Sequence, residues 1–133
     1  MKKPTLSLLL FLATCVFLTS CSKDDFNYPM ETLYGTWDGT AVYANGHWID
    51  ITNSYYESFQ FSITFYSDGE YYGRGFFGNG SGTYKAMGNT ITTYVNGEIY
   101  LTYEIKSLTN NKAELTMFDR SGDSMPIRVS KRN

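Results

Sequence analysis

From Phe59 to Phe65 every odd-numbered residue is apolar, and every residue between is Gln, Ser or Thr. A two-residue period marks a half-buried strand, because successive strand side chains point to opposite faces. The pattern returns at Ile99, Leu101, Tyr103 and Ile105, at Ala113, Leu115 and Met117, and at Ile127 and Val129. These odd-numbered faces are predicted to share one interior, with Ser, Thr, Gln and Lys turned to water. Asp68-Gly69, Asn96-Gly97 and Asn110-Asn111 separate the runs with residues that tolerate the positive φ of tight hairpins. Strands are expected at about 35–44, 57–66, 70–77, 81–87, 90–96, 98–107, 112–119 and 125–131. Pro126 has no N–H, so it should sit at the start or edge of the last strand. No helix is predicted.

The fold class is therefore all-β. Eight strands joined by hairpins form either a sandwich or a single small up-and-down antiparallel β-barrel. An even count favours the barrel, since the first and last strands then meet antiparallel and both edges disappear. Asn45-Gly46 followed by His47-Trp48-Ile49-Asp50-Ile51 is compatible with a ninth strand. In a simple meander that would make the end strands parallel, so 45–56 is expected to be a flap.

The N-terminus has a different pattern. Met1-Lys2-Lys3 precedes an apolar run from Leu6 to Leu18, too short for the roughly 20 residues a membrane span needs. Leu18-Thr19-Ser20-Cys21 resembles the bacterial lipobox. The resemblance implies a signal peptide over 1–20, cleavage before Cys21, and a diacylglycerol and a palmitate-type acyl chain on that cysteine. Ser22-Lys23-Asp24-Asp25 resembles the export signal of Bacteroidota surface lipoproteins, and implies display on the outer membrane. Residues 21–32 are expected to be a lipidated tether and 33–133 the domain.

Removing 1–20 leaves 113 residues with nine Lys and Arg against thirteen acids, a net charge of −4. That balance, with no basic cluster, argues against a nucleic-acid partner. With Cys15 discarded and Cys21 acylated, no disulfide or cysteine metal site remains. Stability must come from burial, for which twelve Tyr, seven mature Phe and two Trp supply area.

Leu33-Tyr34-Gly35-Thr36-Trp37 resembles the Gly-x-Trp opening of lipocalins. Phe65-Tyr66-Ser67-Asp68-Gly69-Glu70-Tyr71, Ser81-Gly82-Thr83-Tyr84 and Gly88-Asn89-Thr90-Ile91 are similar to small lipocalin-like domains of Bacteroidota lipoproteins. The likeness covers about 33–132 and implies a lipocalin-like barrel. It lacks the Thr-Asp-Tyr turn and the helix after the barrel, and no arginine matches the family residue that covers the Trp. Adjacent first and last strands would let Lys131 or Arg132 stack on Trp37 instead.

Up-and-down connectivity sends turns 67–69, 88–89 and 109–111 to the end holding Trp37. Loops 45–56, 78–81, 96–97 and 120–124 go to the other, as at a binding rim. Trp48, Tyr55 and Tyr56 are expected on this mouth, with Tyr43, Phe59, Phe77, Met117 and Met125 lining the interior below. Either these rings receive a small apolar or aromatic ligand, or they fill the barrel and the rim contacts a glycan or a protein. Arg74 points inward if Asp68-Gly69 is a two-residue hairpin. It points outward if Ser67-Asp68-Gly69 is a three-residue loop.

Other constellations carry no mechanism. Gly73-Arg74-Gly75-Phe76-Phe77-Gly78 fits G-x-G-x-x-G, but a strand and not a helix follows it. His47 is the only histidine, and the acids are scattered. A non-enzymatic, cofactor-free monomer, anchored to the membrane by lipid, is expected.

Overall fold

The computed structural model describes residues 25–133, so the predicted signal peptide and Cys21 lie outside the described residues. Nine strands follow in order: β1 Gly35–Ala44, β2 His47–Asp50, β3 Phe61–Phe65, β4 Glu70–Gly75, β5 Gly80–Met87, β6 Thr90–Val95, β7 Glu98–Leu108, β8 Lys112–Phe118 and β9 Ser124–Lys131. All pairings are antiparallel, in the order β2-β1-β3-β4-β5-β6-β7-β8-β9, and β9 returns to β1, so the wall closes. Closure leaves no open ladder along the seam.

The ninth strand does not upset the parity, for a geometric reason. Asp38 to Gly35 of β1 pair with β3, while Ala41 to Ala44 pair with β2 along the same edge. Strands β2 and β3 are thus two halves of one wall position. The chain leaves the wall between them as an excursion over 51–60 that contains a short 3-10 helix, Ser54–Phe59. The expected strand at 57–66 therefore begins only at Phe61. The flap is half strand and half excursion, and eight positions still close the barrel.

The odd-numbered faces of β3, β8 and β9 are inside as predicted, with Phe61, Ile63, Phe65, Ala113, Leu115, Met117, Ile127 and Val129 buried. Bulges reverse the alternation elsewhere. Thr40 is an extra residue against β9, so Val42 is buried and Tyr43 turns out. Opposite Thr93, β7 fits in both Tyr100 and Leu101, and Ile99 is exposed rather than buried. The Thr93 hydroxyl accepts from Leu101 N at 3.0 Å and donates to Leu101 O at 2.8 Å, which repairs the interrupted ladder.

The end holding Trp37 is closed. The residues expected to be a tether contribute to that closure from Asp25 onward. Asn27 N and Gly88 N exchange hydrogen bonds with Gly88 O and Asp25 O, each at 2.8 Å, and Leu33 is buried beneath the barrel. Trp37 Nε1 donates to Leu33 O at 2.9 Å. Lys131, one of the two candidates, lies over Trp37 with Nζ 4.9 Å from the ring centroid, and donates to Thr32 O. Burial lowers the Lys131 pKa. Arg132 instead makes a two-pronged ion pair with Asp38. Above this layer burial, and then the neighbouring Tyr71 phenol, push the Tyr103 pKa well up. Space between Leu33, Trp37, Phe65, Ile91 and Leu115 amounts to about 10 Å³. That is no more than a single water needs, so the base is solid.

Candidate functional site

The opposite end is open, and a short turn organises it. Gly75 has φ +101°, and a side chain there would strike the Gln60 carbonyl, so only glycine fits. Phe76 N donates to Gln60 O at 3.0 Å, Gly78 N to Gly75 O at 2.9 Å, and Gly75 N to the Asn79 side chain at 2.9 Å. Tyr100 Oη donates to Phe77 O at 2.6 Å. Thus the G-x-G-x-x-G stretch serves as a pinned corner that holds two phenylalanines at the mouth.

These rings continue a ladder of aromatic contacts. Centroids lie 5.0 Å apart for Phe59–Phe76, 5.1 Å for Phe76–Phe77 and 4.8 Å for Phe61–Phe77. Tyr56 joins at 6.0 Å from Phe59, and Tyr55 at 4.9 Å from Tyr56. Such tilted and edge-on pairs suit the aromatic quadrupole. The ladder runs from the excursion across the rim to the buried face of β3.

Two hollows flank it. A solvent-open cleft of about 640 Å³ lies between Phe76, Phe77, Tyr100, Leu101, Met117 and Met125 on one side and the loop Asp119–Ser124 on the other. A more enclosed hollow of about 160 Å³ lies under the excursion, lined by Val42, Ala44, Ile49, Ile51, Tyr56, Phe59, Phe76 and Met125. Phe76 and Met125 belong to both. Phe76 is 46% exposed, so the partition between the hollows is a half-free ring.

The cleft's polar wall is largely satisfied by itself. Asp119 Oδ1 accepts from Ser121 N, Ser121 Oγ and Asp123 N at 2.8–3.0 Å. The Ser121 hydroxyl, with the loop amides, holds the Asp119 carboxyl below its usual pKa. Arg120 faces Glu98 at 3.3 Å on the surface. Among the described residues no group of three His, Cys, Asp or Glu side chains is placed to hold a metal.

The structure sorts the predicted residues. Tyr56, Phe59, Phe77, Met117 and Met125 come together at the mouth, while Tyr55 is on the excursion but 84% exposed. Tyr43 is a correction: the Thr40 bulge turns it onto the outer wall, where it meets Trp48 edge-on at 5.4 Å. Trp48 leaves the rim for the same reason, because from β2 it pairs with Tyr43 of β1 and lies beneath the Arg128 guanidinium at 3.8 Å. Arg74 is exposed. Phe65 pairs with Tyr71 and Gly69 has φ +92°, as the three-residue loop requires. Sequence reasoning missed Ile49 and Ile51 in the flap, and Phe76. The apolar alternation of Ile49 and Ile51 was the available signal.

A closed antiparallel barrel with one solid end and a Gly-x-Trp strand at its base matches the family model of the lipocalin-like domain over residues 33–115. The chain belongs to the lipocalin-like domain family. The match stops within β8, and β9 supplies the final closure of this lipocalin-like barrel. A barrel of eight wall positions is either filled by its own side chains or holds one small ligand. No curated protein matches the chain.

Proposed function

We propose that this lipocalin-like barrel is a non-catalytic carrier or receptor for a small apolar or aromatic molecule, held at the mouth. The carrying observation is the pair of apolar hollows that share Phe76 and Met125 above a filled base. The cleft has the volume usual for small-molecule sites, roughly 300–1,000 Å³. The enclosed hollow is the size that holds one ring, since an apolar cavity of about 150 Å³ takes up benzene. A ligand with a ring-sized apolar group seated under the excursion and a larger body in the cleft fits both. Cys21 is the anchor in this reading. Lys23, Asp24 and Asp25 direct display on the outer-membrane surface.

Native mass spectrometry of protein taken from its own host should show a bound small molecule, lost in Phe76→Ala. A fluorescent apolar probe, 8-anilinonaphthalene-1-sulfonate, should bind the purified protein and be displaced by that molecule. Probe binding that is unaltered by Phe76→Ala and by Ile51→Trp, which fills the enclosed hollow, would reject the site. A second reading draws support from Tyr55, whose ring stands 84% exposed on the excursion. There the rim contacts a glycan or protein, and Tyr55→Ala removes binding to a glycan array while probe binding persists.

A further inference from the structure

We propose that the closed base of the barrel faces the membrane and the mouth opens away from it, so that the site loads from water and not from the bilayer. The orientation rests on the reading of Cys21 as the lipidated anchor. It goes beyond that reading, because an anchor alone leaves the barrel free to present any side.

The chain joins the barrel at its base. Asp25 O accepts from Gly88 N, and Phe26 bridges Gly88 in the turn between β5 and β6. Only residues 22–24 separate Cys21 from Asp25. Fully extended, four such steps reach about 14 Å. Strand β1 has ten residues. At ~3.3 Å per residue and a tilt of 35–45°, it gives the wall a height of about 25 Å. The tether is shorter than the barrel is tall, so the mouth cannot be turned down onto the headgroups.

The two ends differ in surface as that orientation requires. At the base the Phe26 ring meets Tyr28 at a tilt, centroids 5.4 Å apart, and Met87, 49% exposed, ends β5 at the same turn. An apolar and aromatic edge of this kind suits the boundary between headgroups and water. The mouth end carries five carboxylates, Asp50, Glu57, Glu98, Asp119 and Asp123, against the cations Arg74 and Arg120. The base half carries Lys85, Lys106, Lys112, Lys131 and Arg132 beside the carboxylates Asp25, Glu31, Asp38, Asp68, Glu70, Glu104 and Glu114. Every lysine among the described residues is thus on the base half, within reach of anionic headgroups.

The test uses the full acylated protein purified from its host membrane, reconstituted into phosphatidylethanolamine–phosphatidylglycerol vesicles. The described residues contain no cysteine, so one introduced thiol can be labelled cleanly. Met87→Cys and Asn110→Cys report the base, and Ser121→Cys reports the mouth. With a bimane label and nitroxide-bearing lipids, the base labels should lose fluorescence on vesicles and the mouth label should keep it. Equal loss at Ser121 would overturn the orientation while leaving the anchor intact. Absence of the acyl mass on Cys21, with no vesicle association, would overturn the anchor reading and the orientation together.

Discussion

The two ends of this barrel are built from the same residue types and do opposite things. At the base, Trp37, Phe65, Tyr71 and Tyr103 interdigitate, and the chain segment from Asp25 to Tyr34 seals them in. At the mouth, Phe59, Phe76 and Phe77 meet one another in a ladder, with hollows on either side. Aromatic content therefore does not separate core from site. Backing does. The base rings are covered by Leu33 and Lys131, whereas the mouth rings hang from an excursion and a glycine corner with nothing above them.

The largest effect that would sharpen this contrast is on stability. Phe65→Ala should cost about 3–5 kcal/mol in chemical denaturation, because its neighbours cannot collapse into the gap. Phe76→Ala, half exposed, should cost on the order of 1 kcal/mol or less. Equal costs would mean that the mouth is core.

Alkaline pH should also strike the base. Burial holds the Tyr84 pKa at about 12, against an ordinary 10.0, while its hydroxyl donates to Tyr66 O at 2.7 Å. Above its ordinary pKa the unfolded chain loses this proton and the folded chain keeps it. Stability present below pH 10 should therefore drain away as pH rises from 10 to about 12. Tyr84→Phe should flatten that decline in melting curves recorded across the window.

Ligand binding should show the reverse preference. Phe76→Ala should weaken apolar-probe affinity about tenfold, the scale of a buried aromatic anchor. Tyr84→Phe should leave it unchanged. A smaller effect belongs to the cation over Trp37: Lys131→Met should cost about 0.5–1 kcal/mol, with no change in probe binding. Glu98→Gln should alter neither quantity measurably, since its partner Arg120 is a surface side chain.

The base was more legible in the sequence than the mouth, and the reason is local. Regular alternation in β3, β8 and β9 survives folding, so Phe65, Leu115 and Val129 were readable from their numbers. The Gly-x-Trp opening and the last strand narrowed the cover of Trp37 to Lys131 or Arg132, of which Lys131 takes the place. Near the mouth the alternation breaks. The Thr40 bulge carries no mark in the sequence beyond an ordinary threonine, yet it turns Tyr43 and Trp48 onto the outer wall. The excursion interrupts a wall position, so Phe59 ends as part of a helix turn instead of a strand. Phe76 was hidden because its position depends on the Gly75 corner, set by a carbonyl fifteen residues earlier.

The contrast between a solid base and an open mouth is tested most directly by methyl NMR under xenon pressure. The methyl signals of Ile49, Ile51 and Met125 should shift and saturate as xenon fills the hollow beneath the excursion, while those of Leu33, Ile91 and Leu115 stay fixed. Shifts at Ile91 and Leu115 matching those at Ile51, or silence at Ile51, would contradict the account.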